Sequence, residues 1–178
     1  YIHEMGHVAM LRRYGIRATA PMFIPGLGAF VRMKQYPATA REDARVGLAG
    51  PLWGMAAAVG AYAIFLLTQA PMMAAIARFG AWLNLFNLFP IWQLDGGRGY
   101  RSLTRSHRWM ATAALAAAFY FTSEGLLVLL LLGSLFRVFE KNTPSEPDWT
   151  GLLHYVILVA VLSWLAVLHV PGSPLTVR

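Results

Sequence analysis

The sequence predicts an all-α, multi-pass membrane protein, and three observations predict it. Of the 178 residues, 57% are hydrophobic and only 13% are charged, whereas a soluble domain carries about a quarter charged residues. Mean hydropathy is +0.51. Apolar runs approaching the ~20 residues that cross a bilayer recur along the chain, separated by prolines, glycines and short basic stretches. About six helical segments are expected, with a short β-hairpin or re-entrant loop after the first. The absence of cysteine excludes a disulfide frame and a thiolate metal site. The formal charge of +7 reads as basic cytoplasmic loops rather than as binding to nucleic acid.

Residues 1–14 read as the end of a membrane helix, closed by Arg12 and Arg13 and then Gly15. That helix is expected to begin upstream of Tyr1. Residues 19–37 change character. Pro21, Pro25, Gly26 and Gly28 break helices, while Met22, Phe23, Ala29, Phe30, Val31 and Met33 favour extended chain, with Pro25-Gly26 as the turn. Thr39 reads as a helix cap, with Glu42 and Asp43 in the first turn. Residues 46–68 form a spanning helix whose glycines and alanines let a neighbour pack closely. Residues 72–89 are the next span, stopped by Pro90, and the stretch to Gly99 is expected to be partly unwound. Irregular backbone at membrane depth is tolerated where it lines a cavity.

Residues 109–121 and 126–139 are short apolar runs, a tight helical hairpin or one broken helix. Residues 142–150 are a polar loop and 152–170 a last span. Basic residues cluster at 12–17, 32–45, 98–108 and 137–141, and are missing from the connections at 69–71 and 122–125. With the hairpin option these clusters alternate across the membrane, which favours the hairpin. Both ends that carry the motifs described next then lie near the cytoplasmic face.

Chemistry enters through two motifs. His3-Glu4-Met5-Gly6-His7 has the form His-Glu-x-x-His, and Asp95-Gly96-Gly97 follows an apolar run. Residues four apart on a helix share a face, so His3 and His7 can turn imidazole nitrogens toward one zinc ion. Catalytic zinc takes three protein ligands and keeps a position open to water, whose pKa falls to roughly 7. Asp95 is the candidate third ligand and Glu4 the candidate general base. Ionisable residues are costly in lipid and rarely sit there without a task. The combination points to a zinc-dependent peptide hydrolase working within a bilayer.

The same residues resemble a known family. Together with His3-Glu4-Met5-Gly6-His7, the stretch Asn87-Leu88-Phe89-Pro90-Ile91-Trp92-Gln93-Leu94-Asp95-Gly96-Gly97 is similar to the paired motifs of the site-2 protease family of intramembrane zinc metalloproteases. Ala49-Gly50-Pro51-Leu52 resembles that family's element in the intervening helix. The resemblance covers roughly residues 1–105, whereas 106–178 look like additional generic membrane helices of the same domain. It implies a three-helix core, zinc on His3, His7 and Asp95, water activated by Glu4, and substrates that are themselves transmembrane proteins. Anti-sigma factors and other membrane-bound regulators are the implied partners, in a bacterial cytoplasmic membrane with the site toward the cytoplasm.

Many relatives carry Asn shortly after the Ala-Gly-Pro-Leu element, where this chain has Trp53-Gly54. No inserted PDZ domain or C-terminal CBS domain is evident. A helical substrate must unwind before it is cut, and a strand from Ala29 to Lys34, with Phe30 and Val31, is the expected surface for the unwound segment. Asn87 is a candidate to hydrogen-bond substrate, or a cap for backbone groups freed at Pro90. His107, in a basic stretch, is expected to be solvated. The competing reading is a catalytically silent membrane scaffold or chaperone, against which the intact Glu4 speaks. An ion-coupled transporter is disfavoured because no internal repeat is visible.

Overall fold

The computed structural model describes residues 1–17, 22–24, 28–30, 37–91 and 94–171, with the backbone alone described in 22–24 and 28–30. Seven α-helices lie among the described residues. Helix α1 (Ile2–Arg13) carries Arg12 and Arg13 in its last turn, where cations complement the helix dipole. The chain leaves it through Gly15 at φ +70°, a left-handed conformation that glycine adopts without strain. Two short strands, β1 (Met22–Ile24) and β2 (Gly28–Phe30), then pair antiparallel with Phe23 opposite Ala29. The expected Pro25-Gly26 turn and Val31 lie outside the described residues.

Helix α2 (Ala40–Thr68) is the central element. Its Thr39 side chain accepts the backbone N–H of Glu42 at 3.1 Å, and Glu42 and Asp43 occupy its first turn. It runs unbroken through Pro51 for 29 residues and ends at Gln69, whose φ of 55° is left-handed. Pro71 then opens α3 (Pro71–Asn87) at its first turn, where a missing N–H costs nothing.

The expectation of a partly unwound stretch from Pro90 to Gly99 holds for Pro90, Ile91 and Leu94, which are non-helical. A short helix, α4 (Asp95–Gly99), follows and continues as a 3-10 turn through Tyr100–Ser102. Its glycines are poor helix formers, but they permit contacts that a side chain would forbid. A Cβ on Gly96 would lie 1.8 Å from Leu88 O, and one on Gly99 2.8 Å from a Leu48 methyl. Close packing therefore wins over propensity.

Helices α5 (Arg105–Thr122), α6 (Leu126–Val138) and α7 (Trp149–Ala166) complete the fold. Helices α5 and α6 are separate and pack on each other, with Ser123 at φ 53° ending the first. Thr104 caps α5 and Asp148 caps α7, so both begin several residues before their apolar runs. His107, expected in a solvated loop, is instead in the first turn of α5 and only 2% exposed, against the Trp149 ring at 4.5 Å. The cap at Thr104 draws this polar segment into the helix, and α7 covers it.

Helix α2 packs against α1, α3, α4 and α7, and α7 packs against α3 and α5. One buried cluster runs from Leu48, Leu85 and Leu88 to Leu127, Leu130, Leu158 and Leu162. Helices α2 and α7 are long and apolar enough to cross a membrane, by length and composition. Only 22% of the apolar window of α2 is buried, which is not how the core helix of a soluble protein sits. Ile64, Leu66, Leu67, Tyr120, Phe121 and Phe136 are among the large apolar side chains left facing outward.

Candidate metal centre

Helix α1 places His3 and His7 one turn apart on the face toward α2, and α4 brings Asp95 to them from the far side of the sequence. His3 Nε2 lies 3.1 Å from His7 Nε2 and 3.0 Å from Asp95 Oδ2. His7 Nε2 lies 3.4 Å from Asp95 Oδ1. His7 and Asp95 are buried, and His3 is half-buried. Donors bonded to one tetrahedral zinc at about 2.0–2.1 Å sit roughly 3.3 Å from each other, so the three separations match the edges of such a site.

The hydrogen bonds around the cluster fit the same ion. The carbonyl of Val46 can only accept, and it lies 2.8 Å from His7 Nδ1. His7 Nδ1 therefore carries the hydrogen, and in the neutral ring Nε2 is left with its lone pair pointing at His3 and Asp95. His3 Nδ1 is bonded in turn to Asn84 Oδ1 at 2.8 Å. Two ring nitrogens and a carboxylate crowded together as acceptors repel one another. A cation between them turns that repulsion into coordination.

Two features of the backbone make room for the cluster. A Cβ on Gly50 would lie 2.3 Å from His7 Nε2 and 2.8 Å from His3 Nε2. A Cβ on Gly6 would meet Ala49 O at 2.4 Å, so Gly6 lets α1 lie directly on α2. The helix bearing Asp95 is anchored separately. Arg98 donates to Asp43 Oδ1 from Nε at 2.9 Å and from Nη2 at 2.8 Å, and Arg101 donates to Asp43 Oδ2 at 2.8 Å. Gly47 accepts this closeness, since a Cβ there would sit 2.6 Å from Arg98 Cβ.

Comparison with known proteins bears on what such a site does. Residues 1–78 match the family model of peptidase family M50. That segment is where the chain is similar to peptidase family M50. Over 163 residues it is 26% identical to zinc metalloprotease MJ0392 of Methanocaldococcus jannaschii, an alignment covering 82% of this chain and 46% of the relative. The chain thus spans about half the length of the curated relative it matches.

The structure brings His3, His7 and Asp95 together, the grouping that the paired motifs imply. Glu4 lies beside them on α1, half-buried. Asn87 is the last residue of α3, half-buried. It is Asn84, one turn earlier, that meets His3. Phe30 ends β2. Sequence reasoning missed Asn84, the specific duty of Gly50 and the Asp43–Arg98 pair. Asn84 was visible only as a polar break in an apolar run, and Gly50 only as a small residue within Ala49-Gly50-Pro51-Leu52, with no contact to the histidines attached to it.

Proposed function

We propose that this chain is an intramembrane zinc metalloprotease that hydrolyses peptide bonds in or near transmembrane segments of membrane proteins. The observation that carries the reading is the convergence of His3 Nε2, His7 Nε2 and the Asp95 carboxylate at 3.0–3.4 Å. When bound, zinc supplies Lewis acidity toward a peptide carbonyl and toward water. Every other step falls to the chain. Val46 O holds the His7 ring, and Asp43 holds α4 and hence Asp95. Glu4 takes a proton from the attacking water and passes it to the leaving amine as the C–N bond breaks. The family match and the named relative support a metalloprotease.

Work within a bilayer is supported by the apolar outer faces of α2 and α7. The substrates we propose are transmembrane proteins such as anti-sigma factors or other membrane-bound regulators. Among the described residues β2 pairs only with β1, which leaves an edge near Phe30 on which an unwound substrate can add a strand. The basic residues Arg12, Arg13, Arg98 and Arg101, near the site in sequence, favour a cytoplasmic-side position in a bacterial cytoplasmic membrane.

The test uses purified protein in detergent with a transmembrane reporter. Glu4→Gln is expected to keep its zinc and to cut about 10²- to 10⁴-fold more slowly than wild type. Equal cleavage by the two would contradict the general-base role. Capture of a membrane partner without cleavage by zinc-loaded wild type would favour the silent scaffold.

A further inference from the structure

We propose that Asn84 is a positioning residue for the metal site, fixing the tautomer and rotation of His3 so that Nε2 faces the other donors. The inference rests on the zinc reading above and deepens it. A backbone carbonyl accepts and never donates. Gly80 O lies 2.7 Å from Asn84 Nδ2, so the amide must turn its NH2 toward Gly80 and its oxygen toward His3. That oxygen also only accepts, and it lies 2.8 Å from His3 Nδ1. His3 Nδ1 therefore carries the hydrogen, and Nε2 of the neutral ring keeps its lone pair. The lone pair faces His7 Nε2 at 3.1 Å and Asp95 Oδ2 at 3.0 Å.

The surroundings of Asn84 are built for this contact. It is 7% exposed, on a helix that otherwise offers alanines and leucines to the core, where packing alone has no use for an amide. A Cβ on Gly54 would lie 2.0 Å from Asn84 Oδ1, so the missing side chain at Gly54 on α2 is what makes room for the amide. Each element has a separate share: α3 supplies the amide and its anchor at Gly80, α1 the imidazole, and α2 the gap. His7 has its carbonyl partner in Val46. Asn84 does the same for His3. Outer-sphere partners of this kind orient metal-binding histidines, and their loss weakens metal affinity about 10- to 100-fold.

The experiment measures Zn²⁺ affinity by chelator competition on the full chain in detergent, for wild type, Asn84→Leu, Asn84→Asp and His3→Ala. Leucine has the same number of side-chain heavy atoms as asparagine and removes the acceptor, while aspartate keeps it. Asn84→Leu is expected to bind Zn²⁺ about 10- to 100-fold more weakly, and Asn84→Asp to recover most of that loss. Melting of the metal-free proteins shows whether a variant has lost its fold. Wild-type affinity in Asn84→Leu, with zinc lost in His3→Ala, overturns the Asn84 role and leaves the site intact. Equal loss in the Leu and Asp variants, with a matching fall in metal-free melting temperature, shows a packing role and also overturns it. Zinc retained by His3→Ala, or absent from wild type, overturns the underlying site and this inference with it.

Discussion

A single methyl group at position 50 would stand where two imidazoles now meet. His7 cannot retreat without giving up Val46 O, nor His3 without giving up Asn84. Overpacking of this kind costs about 1–3 kcal/mol, and about 1.4 kcal/mol is tenfold in affinity. Gly50→Ala is therefore expected to weaken zinc binding by about tenfold or more in chelator competition, and unchanged affinity would show that the rings have slack. At this scale the two histidines were legible because helix geometry alone puts residues four apart on one face. Gly50 was not, since a small residue facing a neighbour reads the same whether it admits a leucine or a metal ligand. Asn84 and Asn87, three apart, share a face as well. Which of them meets His3 depends on where α1 lies against α3, and no local pattern carries that.

Between elements, two acidic residues hold helix ends in place. Asp43 ties α4 to the start of α2 through Arg98 and Arg101. Hydrogen bonds to charged groups are worth about 1.5–3 kcal/mol each, less where solvent screens them. Arg101 is exposed and contributes little, so Asp43→Ala is expected to cost about 2 kcal/mol, read as a lower melting temperature in detergent, and to weaken zinc binding through α4. Asp148 caps α7 and pairs with Arg45. Burial pushes its carboxyl up, but hydrogen bonds from Arg45, Ser102 and the Gly151 N–H, with the Arg45 charge, outweigh this and hold it below its usual value of 3.8. With the folded value below the unfolded one, this stabilisation is present above pH 3.8 and is lost as pH falls through the folded value. Asp148→Asn should therefore be less stable at neutral pH and show a flatter acid limb, measured as melting temperature from about pH 5 downward; parallel curves would remove Asp148 as the titrating group. Thr39 was legible as a cap because two acids follow it. Thr104 and Asp148 were hidden among polar residues that read as loop, which is why α5 and α7 start before their apolar runs.

Across the whole molecule, residues far apart in sequence complete one another. Tyr155 on α7 donates to Leu88 O at 3.2 Å, at the break between α3 and α4. Tyr100, just after the Asp95 helix, bonds Ser134 on α6 at 2.7 Å. The C-terminal helices, which read in sequence as generic apolar spans, thus brace the stretch that carries the third donor. Their character as helices was legible from hydropathy, but that bracing was not, because it depends on how the hairpin of α5 and α6 folds back. The pairing of the two motifs was legible from chemistry, since two histidines leave a zinc site one ligand short. It is the central claim, and zinc content of the purified full chain tests it most directly, with wild type beside Asp95→Ala. The account predicts about one zinc per wild-type chain and little or none in the variant under the same chelator. Zinc held equally by both would contradict it, because His3 and His7 would then form a site without Asp95.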